Sequence, residues 1–173
     1  MIKWKNTVST GLLLSVLTTI SLAGVHGDSG AAYAAATMNT KSLAAVYAAI
    51  QTQNASKIVV LVNKERVRAG LKPLTVHTNL TKVAKAKAKD MYLNNYFSHT
   101  SPTYGSPFEM MDASSITYLY AGENLAMGQR SAEQAMKDWM KSPGHKKNIL
   151  NPNFNLIGVG YFNGYWVQEF VGK

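Results

Sequence analysis

The sequence predicts a layered α+β domain, and three observations carry that prediction. Amphipathic helical stretches occupy Lys57 to Asn95, capped helix starts recur after Gly105, and the chain closes on two β-rich runs joined by Asn163-Gly164. Helices flanking a small, partly antiparallel sheet bury their apolar stripes and the sheet in one interior.

The N-terminus reads as a targeting segment. Lys3 and Lys5 precede the uncharged apolar run Gly11 to Val25, and the small residues Ala31 to Ala36 follow. This order predicts a secretory signal peptide over residues 1–34, cleaved at Ala32-Tyr33-Ala34. The run is shorter than the ~20 residues of a membrane-spanning helix, so an uncleaved anchor is the weaker alternative. Residues 35–54 read as leader and linker with a short helix at Leu43 to Ile50, and the folded domain is expected over 55–173. A chain with no cysteine that is exported fits a bacterial protein stabilised by packing.

The first domain helix is expected from Lys57 to Gly70. Ile58, Val59, Leu61, Val62 and Ala69 share one arc, while Val60 and Val67 lie opposite, which predicts cover on two sides. Gly70 serves as its C′ glycine, and Pro73 directs the chain into an extended segment. A second helix runs from about Thr78, its cap, to Asn95. Glu65 and Lys87 interrupt the two apolar arcs and would pair if the seams met. Ser106-Pro-Phe-Glu109 spells a capping box with proline at the first helical position. Ile116 to Tyr120 favours strand, and Ser131 opens a helix that Pro143-Gly144 ends. Leu156 to Phe162 and Tyr165 to Val171 form the terminal hairpin, with Asn163-Gly164 as a type I′ turn. Gly158 and Gly160 within it allow close backbone packing.

Loss of Lys3, Lys5 and Asp28 with the signal moves the formal charge from +9 to +8. Outside a cell this favours anionic wall polymers or lipid headgroups over nucleic acid. Lys82, Lys85 and Lys89 share one side of a helix, read as a solvated face, and the remaining charge is spread. The aromatic and methionine residues read first as packing, with sugar or lipid recognition by the tyrosines as the alternative.

His99 and His145 stand in Phe97-Ser-His99-Thr-Ser-Pro102 and Ser142-Pro-Gly-His145-Lys-Lys-Asn148-Ile-Leu150, with Glu123 in Gly122-Glu123-Asn124 between them. With Leu61-Val-Asn63, Arg66, Gly70 and Pro73-Leu74, then Trp139-Met140, and finally Ile157-Gly-Val-Gly-Tyr161 and Tyr165-Trp-Val-Gln168, these blocks resemble the CAP superfamily. That group comprises the cysteine-rich secretory, antigen 5 and pathogenesis-related proteins, and the likeness is to its short cysteine-free bacterial branch. The resemblance implies a three-layer α-β-α sandwich with a small, mainly antiparallel central sheet. It also implies a central cleft lined by His99, His145 and Glu123. A second glutamate of the eukaryotic pattern falls on Ser142, so Glu109 is the remaining candidate for that carboxylate.

Two imidazoles and a carboxylate are a recognised zinc ligand set, so His99, His145 and Glu123 are candidate ligands for Zn²⁺ or another divalent cation. The packing alternative has both histidines donating to carboxylates or carbonyls to hold the loop. His26 leaves with the signal, His77 reads as a surface residue, and Asn148 as a turn cap. No Gly-x-Ser-x-Gly or cysteine nucleophile is present. The expected function is therefore a secreted recognition module, monomeric and without a membrane span once the signal is removed. It would act at or outside the envelope on wall polymers or lipid. A zinc-dependent hydrolase using Glu123 or Glu109 as general base, and a lipid or sterol carrier, are the alternatives.

Overall fold

A computed structural model describes residues 29–173, with side chains from residue 40 onward. The signal-peptide run Gly11 to Val25 and His26 lie outside the described residues. The chain divides into two units. Of the first, ending at Thr37, the described part is the opening of a helix, and residues 38–173 form the second.

Five helices and four strands make up the described chain: α1 (Ser29–Arg68), β1 (Thr75–Val76), α2 (Thr78–Leu93), α3 (Pro107–Ala113), β2 (Tyr120–Met127), α4 (Ala132–Lys141), α5 (Pro143–Ile149), β3 (Leu156–Phe162) and β4 (Tyr165–Gly172). The sheet order is β1-β3-β4-β2, with β1 parallel to β3 and the other pairs antiparallel. Side chains alternate across it. Ile157, Val159, Trp166 and Phe170 pack with Ala55, Ile58 and Val62 of α1, Trp139 of α4 and Ile149 of α5. Val167, Val171 and Leu125 face the other way, against α2 and the methionines of α3. The predicted three-layer α-β-α sandwich is therefore the observed one.

Gly158 and Gly160 set how closely α2 sits. A Cβ on either would stand 2.2 Å from the backbone of α2, at Leu80 and Ala84 respectively, so only glycine lets this helix rest on the central strands. On the opposite layer Arg66, 1% exposed, donates to the carbonyls of Lys72, Ile149, Asn151 and Phe154. It ties the end of α1 to the segment between α5 and β3, and each carbonyl left without a donor would cost about 1–3 kcal/mol.

Several local expectations are corrected. The stretch read as leader and linker at 35–54 is helical throughout, as part of α1. Val60 and Val67 are exposed, so α1 is covered on one side only. Glu65 pairs with Arg68 and not with Lys87. His77, not Thr78, caps α2, its Nδ1 accepting from the Leu80 amide. Ile116 to Leu119 is not strand; pairing begins at Tyr120, where β2 meets β4. Pro143-Gly144 ends α4 but also starts α5, with proline at its first position. The capping box, the terminal hairpin and the positive φ of Gly70 are as expected.

Candidate functional site

The site grows from the register of the two long strands. Glu123 of β2 and Glu169 of β4 are directly paired across the ladder, so both side chains leave the same face, toward α2. Glycine beneath the helix lets α2 come down over them, which brings its Lys87 into the same layer. All three are buried, Glu169 and Lys87 completely.

Burial pushes the Lys87 ammonium below its usual range, against the pull of Glu123, Glu169 and Asp90. Burial, then repulsion from Glu123, holds the Glu169 carboxyl well above its usual range, while Lys87 acts to lower it. Counted as bare carboxylates, Glu123 Oε2 and both Glu169 oxygens have no donor. A proton kept on Glu169 lets its O–H donate to Glu123, which accounts for one oxygen of each and leaves the other Glu169 oxygen without a donor.

His99 completes the group from the loop after α2. Its Nδ1 lies 2.5 Å from Glu123 Oε1, and Lys87 Nζ donates to the His99 carbonyl at 2.6 Å. A carboxylate oxygen can only accept, so Nδ1 is the donor in this contact. The imidazole is 60% exposed while its carboxylate partner is 2% exposed, so a buried anion presents a fixed imidazole to solvent. The loop is held by Asp90. Its carboxylate, which burial alone would raise, is kept below the usual range by hydrogen bonds from Tyr96, Ser101, Thr103 and Asn94.

His145, at the start of α5, approaches from the other layer. Asn124, which shares no face with Glu123, donates to the His145 carbonyl, and Asn148 donates to Glu123 O and Asn124 Oδ1. Asn148 is thus a strut between α5 and β2, not a turn cap. Burial, then the charge of His99, lowers the His145 imidazole below its usual range, and its Nδ1 is buried without a partner.

His99 and Glu123 are in direct contact, and His145 lies within electrostatic reach of His99. Glu109 is not part of this group: its exposed carboxylate accepts from the Ser106 amide in the capping box. Glu169 and Lys87 were not anticipated, and the only signal was a charge inside each otherwise apolar stretch. Among the described residues no three His, Asp or Glu side chains gather as a metal-binding group.

Comparison with known proteins covers most of this architecture. A family model described as CAP, the Cysteine-rich secretory protein family, matches residues 59–171. YkwD, an uncharacterized protein of Bacillus subtilis (strain 168), is 56% identical over 119 residues, which are 68% of this chain and 46% of that protein. A crystal structure of an extracellular protein containing an SCP domain, from Bacillus anthracis str. Ames, aligns with a TM-score of 0.70 at 36% identity over 72% of this chain and 42% of its own. An outer surface protein of Borrelia burgdorferi aligns at 0.64 and 21% identity over 70% of this chain and 93% of its own, a likeness of fold. The chain spans less than half the length of the first two relatives.

Proposed function

The chain belongs to the CAP family of cysteine-rich secretory proteins, and from that membership we propose a non-catalytic recognition module acting at or outside the cell envelope. The observation that supports this is the exposed His99 imidazole fixed by a buried carboxylate, which in turn rests on a second buried carboxyl and a buried lysine. Burying such groups costs stability unless every one is paired, so they serve poorly as mere packing. They suit a polar ligand that meets one oriented imidazole. No described helix is long and apolar enough to cross a membrane.

A sedimentation assay with bacterial wall preparations stripped of phosphodiester polymers tests the reading. His99→Ala is expected to weaken retention at least tenfold with the melting temperature nearly unchanged, and Glu123→Gln to weaken it as much while melting lower because buried Lys87 loses a counter-charge; retention equal to the parent would overturn it. Turnover of peptide or wall substrate by the parent, lost in His99→Ala, would replace the binder by the hydrolase. A divalent cation is proposed only as an addition, with His99 and His145 as its candidate ligands. Metal content above that of a His99→Ala/His145→Ala variant would establish it, and equal contents would remove it.

A further inference from the structure

We propose that the outer face of α2 is a second binding surface, a lysine row that takes a linear phosphodiester polyanion. Lys82, Lys85 and Lys89 are all exposed on this helix and recur at i, i+3 and i+7, on one side. The row is straight and about 10 Å long, from the helical rise per residue. Folding does not explain it. Neighbouring like charges at these spacings repel, and α2 has no acidic residue in its first turn to offset them against the helix dipole.

Every nearby acid is engaged elsewhere. Asp90, the one acidic residue of α2, is buried and accepts from Asn94, Tyr96 and Ser101. On neighbouring α3, Glu109 closes the capping box and Asp112 accepts from the Tyr118 hydroxyl. Among the described residues no acid pairs with Lys82, Lys85 or Lys89, and the one polar contact of the row is Lys82 Nζ to Asn79 Oδ1 at 3.4 Å.

The walls beside the row favour a thin chain over a flat surface. A mainly apolar groove on one side, walled by Ala55, Val59, Val76 and Val159, carries the hydroxyls of Ser56 and Thr81 next to Lys85, and the Thr81 hydroxyl there is buried without a partner. A second mainly apolar groove on the other side, with Val83, Met110 and Ala113 in its wall, sets Tyr104 and Ser114 beside Lys82. Hydroxyls next to ammonium groups suit phosphate oxygens and the alcohols between them. Between the lysines lies Ala86, while the exposed bulky side chains of this face, Tyr92 and Leu93, stand past Lys89 at the end of the helix, so a bilayer is kept as an outcome of the test.

This surface lies apart from the His99 cleft and shares with the proposed function only the extracytoplasmic setting. The test uses purified protein and poly(glycerol phosphate), with affinity measured across salt. Lys82→Gln/Lys85→Gln/Lys89→Gln is expected to bind at least tenfold more weakly and to lower the log–log salt slope by about 2, as for three lost contacts to a flexible single-stranded polyanion. Gln keeps helix propensity close to that of Lys, and the arginine triple at the same positions should retain binding. Lys141→Gln/Lys146→Gln/Lys147→Gln, of the same net charge, should change affinity less than threefold, and His99→Ala should bind like the parent. Equal loss in both glutamine triples would reduce the effect to net charge and overturn the proposal. So would binding of phosphatidylglycerol vesicles but not the polymer, or no polymer binding by the parent at low salt.

Discussion

At the scale of single residues, the cleft holds more ionisable groups than its chemistry on the surface would announce. His99 and Glu123 were legible because they sit in recognisable blocks. Glu169 was not, because in Tyr165 to Val171 it is one charge within a run that otherwise reads as a buried strand, and a sequence does not show which residue faces it across the ladder. Lys87 was visible as an anomaly in an apolar arc, but its partner was misassigned to Glu65, since which face of a helix meets which layer is settled only by packing. The carboxyl of Glu169 has a measurable consequence. Held well above its ordinary 4.5 by burial, it keeps a proton that the unfolded chain releases. The stability it contributes is therefore full below pH 4.5 and lost as the pH rises from there toward its folded value. Glu169→Gln, a neutral stand-in that can still donate to Glu123, should melt above the parent at pH 7, with the gap closing toward pH 4. A lower melting temperature at pH 7 would show that Glu169 is ionised in the fold.

At the scale of elements, local chemistry was most readable where a turn or cap is built from neighbours in sequence. Asn163-Gly164, Gly70 and the Ser106 capping box need only adjacent residues, and each appears as read. What escaped depends on distant partners: β1 is two residues long and exists through β3, and β2 begins where β4 offers its carbonyls. Residues 35–54, read as leader and linker around a short helix at Leu43 to Ile50, are helical throughout. The side chains of residues 40–50 are exposed, so no periodic apolar face was needed to keep α1 helical there. The α2-to-sheet contact is the element on which the cleft rests. Gly160→Ala would set a methyl 2.2 Å from Ala84 O, a backbone atom that no rotamer change can move aside. Denaturant unfolding should show a loss of about 3 kcal/mol, together with weaker wall retention as Lys87 is lifted from Glu123. Parental stability would mean that α2 stands farther from the sheet.

At the scale of the whole molecule, folding sharpens a charge that looked diffuse in the sequence. Between residues 40 and 173, three of eight acids are buried but only two of sixteen Lys and Arg, so the exposed surface is more basic than the composition implies. The layered fold was legible because two amphipathic helices and a hairpin have few ways to share one core. The pairing of a carboxyl group across two strands far apart in the chain was not. Most of the function proposed here therefore depends on whether the cleft meets a ligand. Chemical-shift mapping of the isotope-labelled protein with soluble fragments of bacterial wall addresses this directly. Shifts centred on His99, Glu123 and His145, absent in His99→Ala, are expected; shifts confined to other faces, with those three resonances unmoved, would contradict recognition by the cleft.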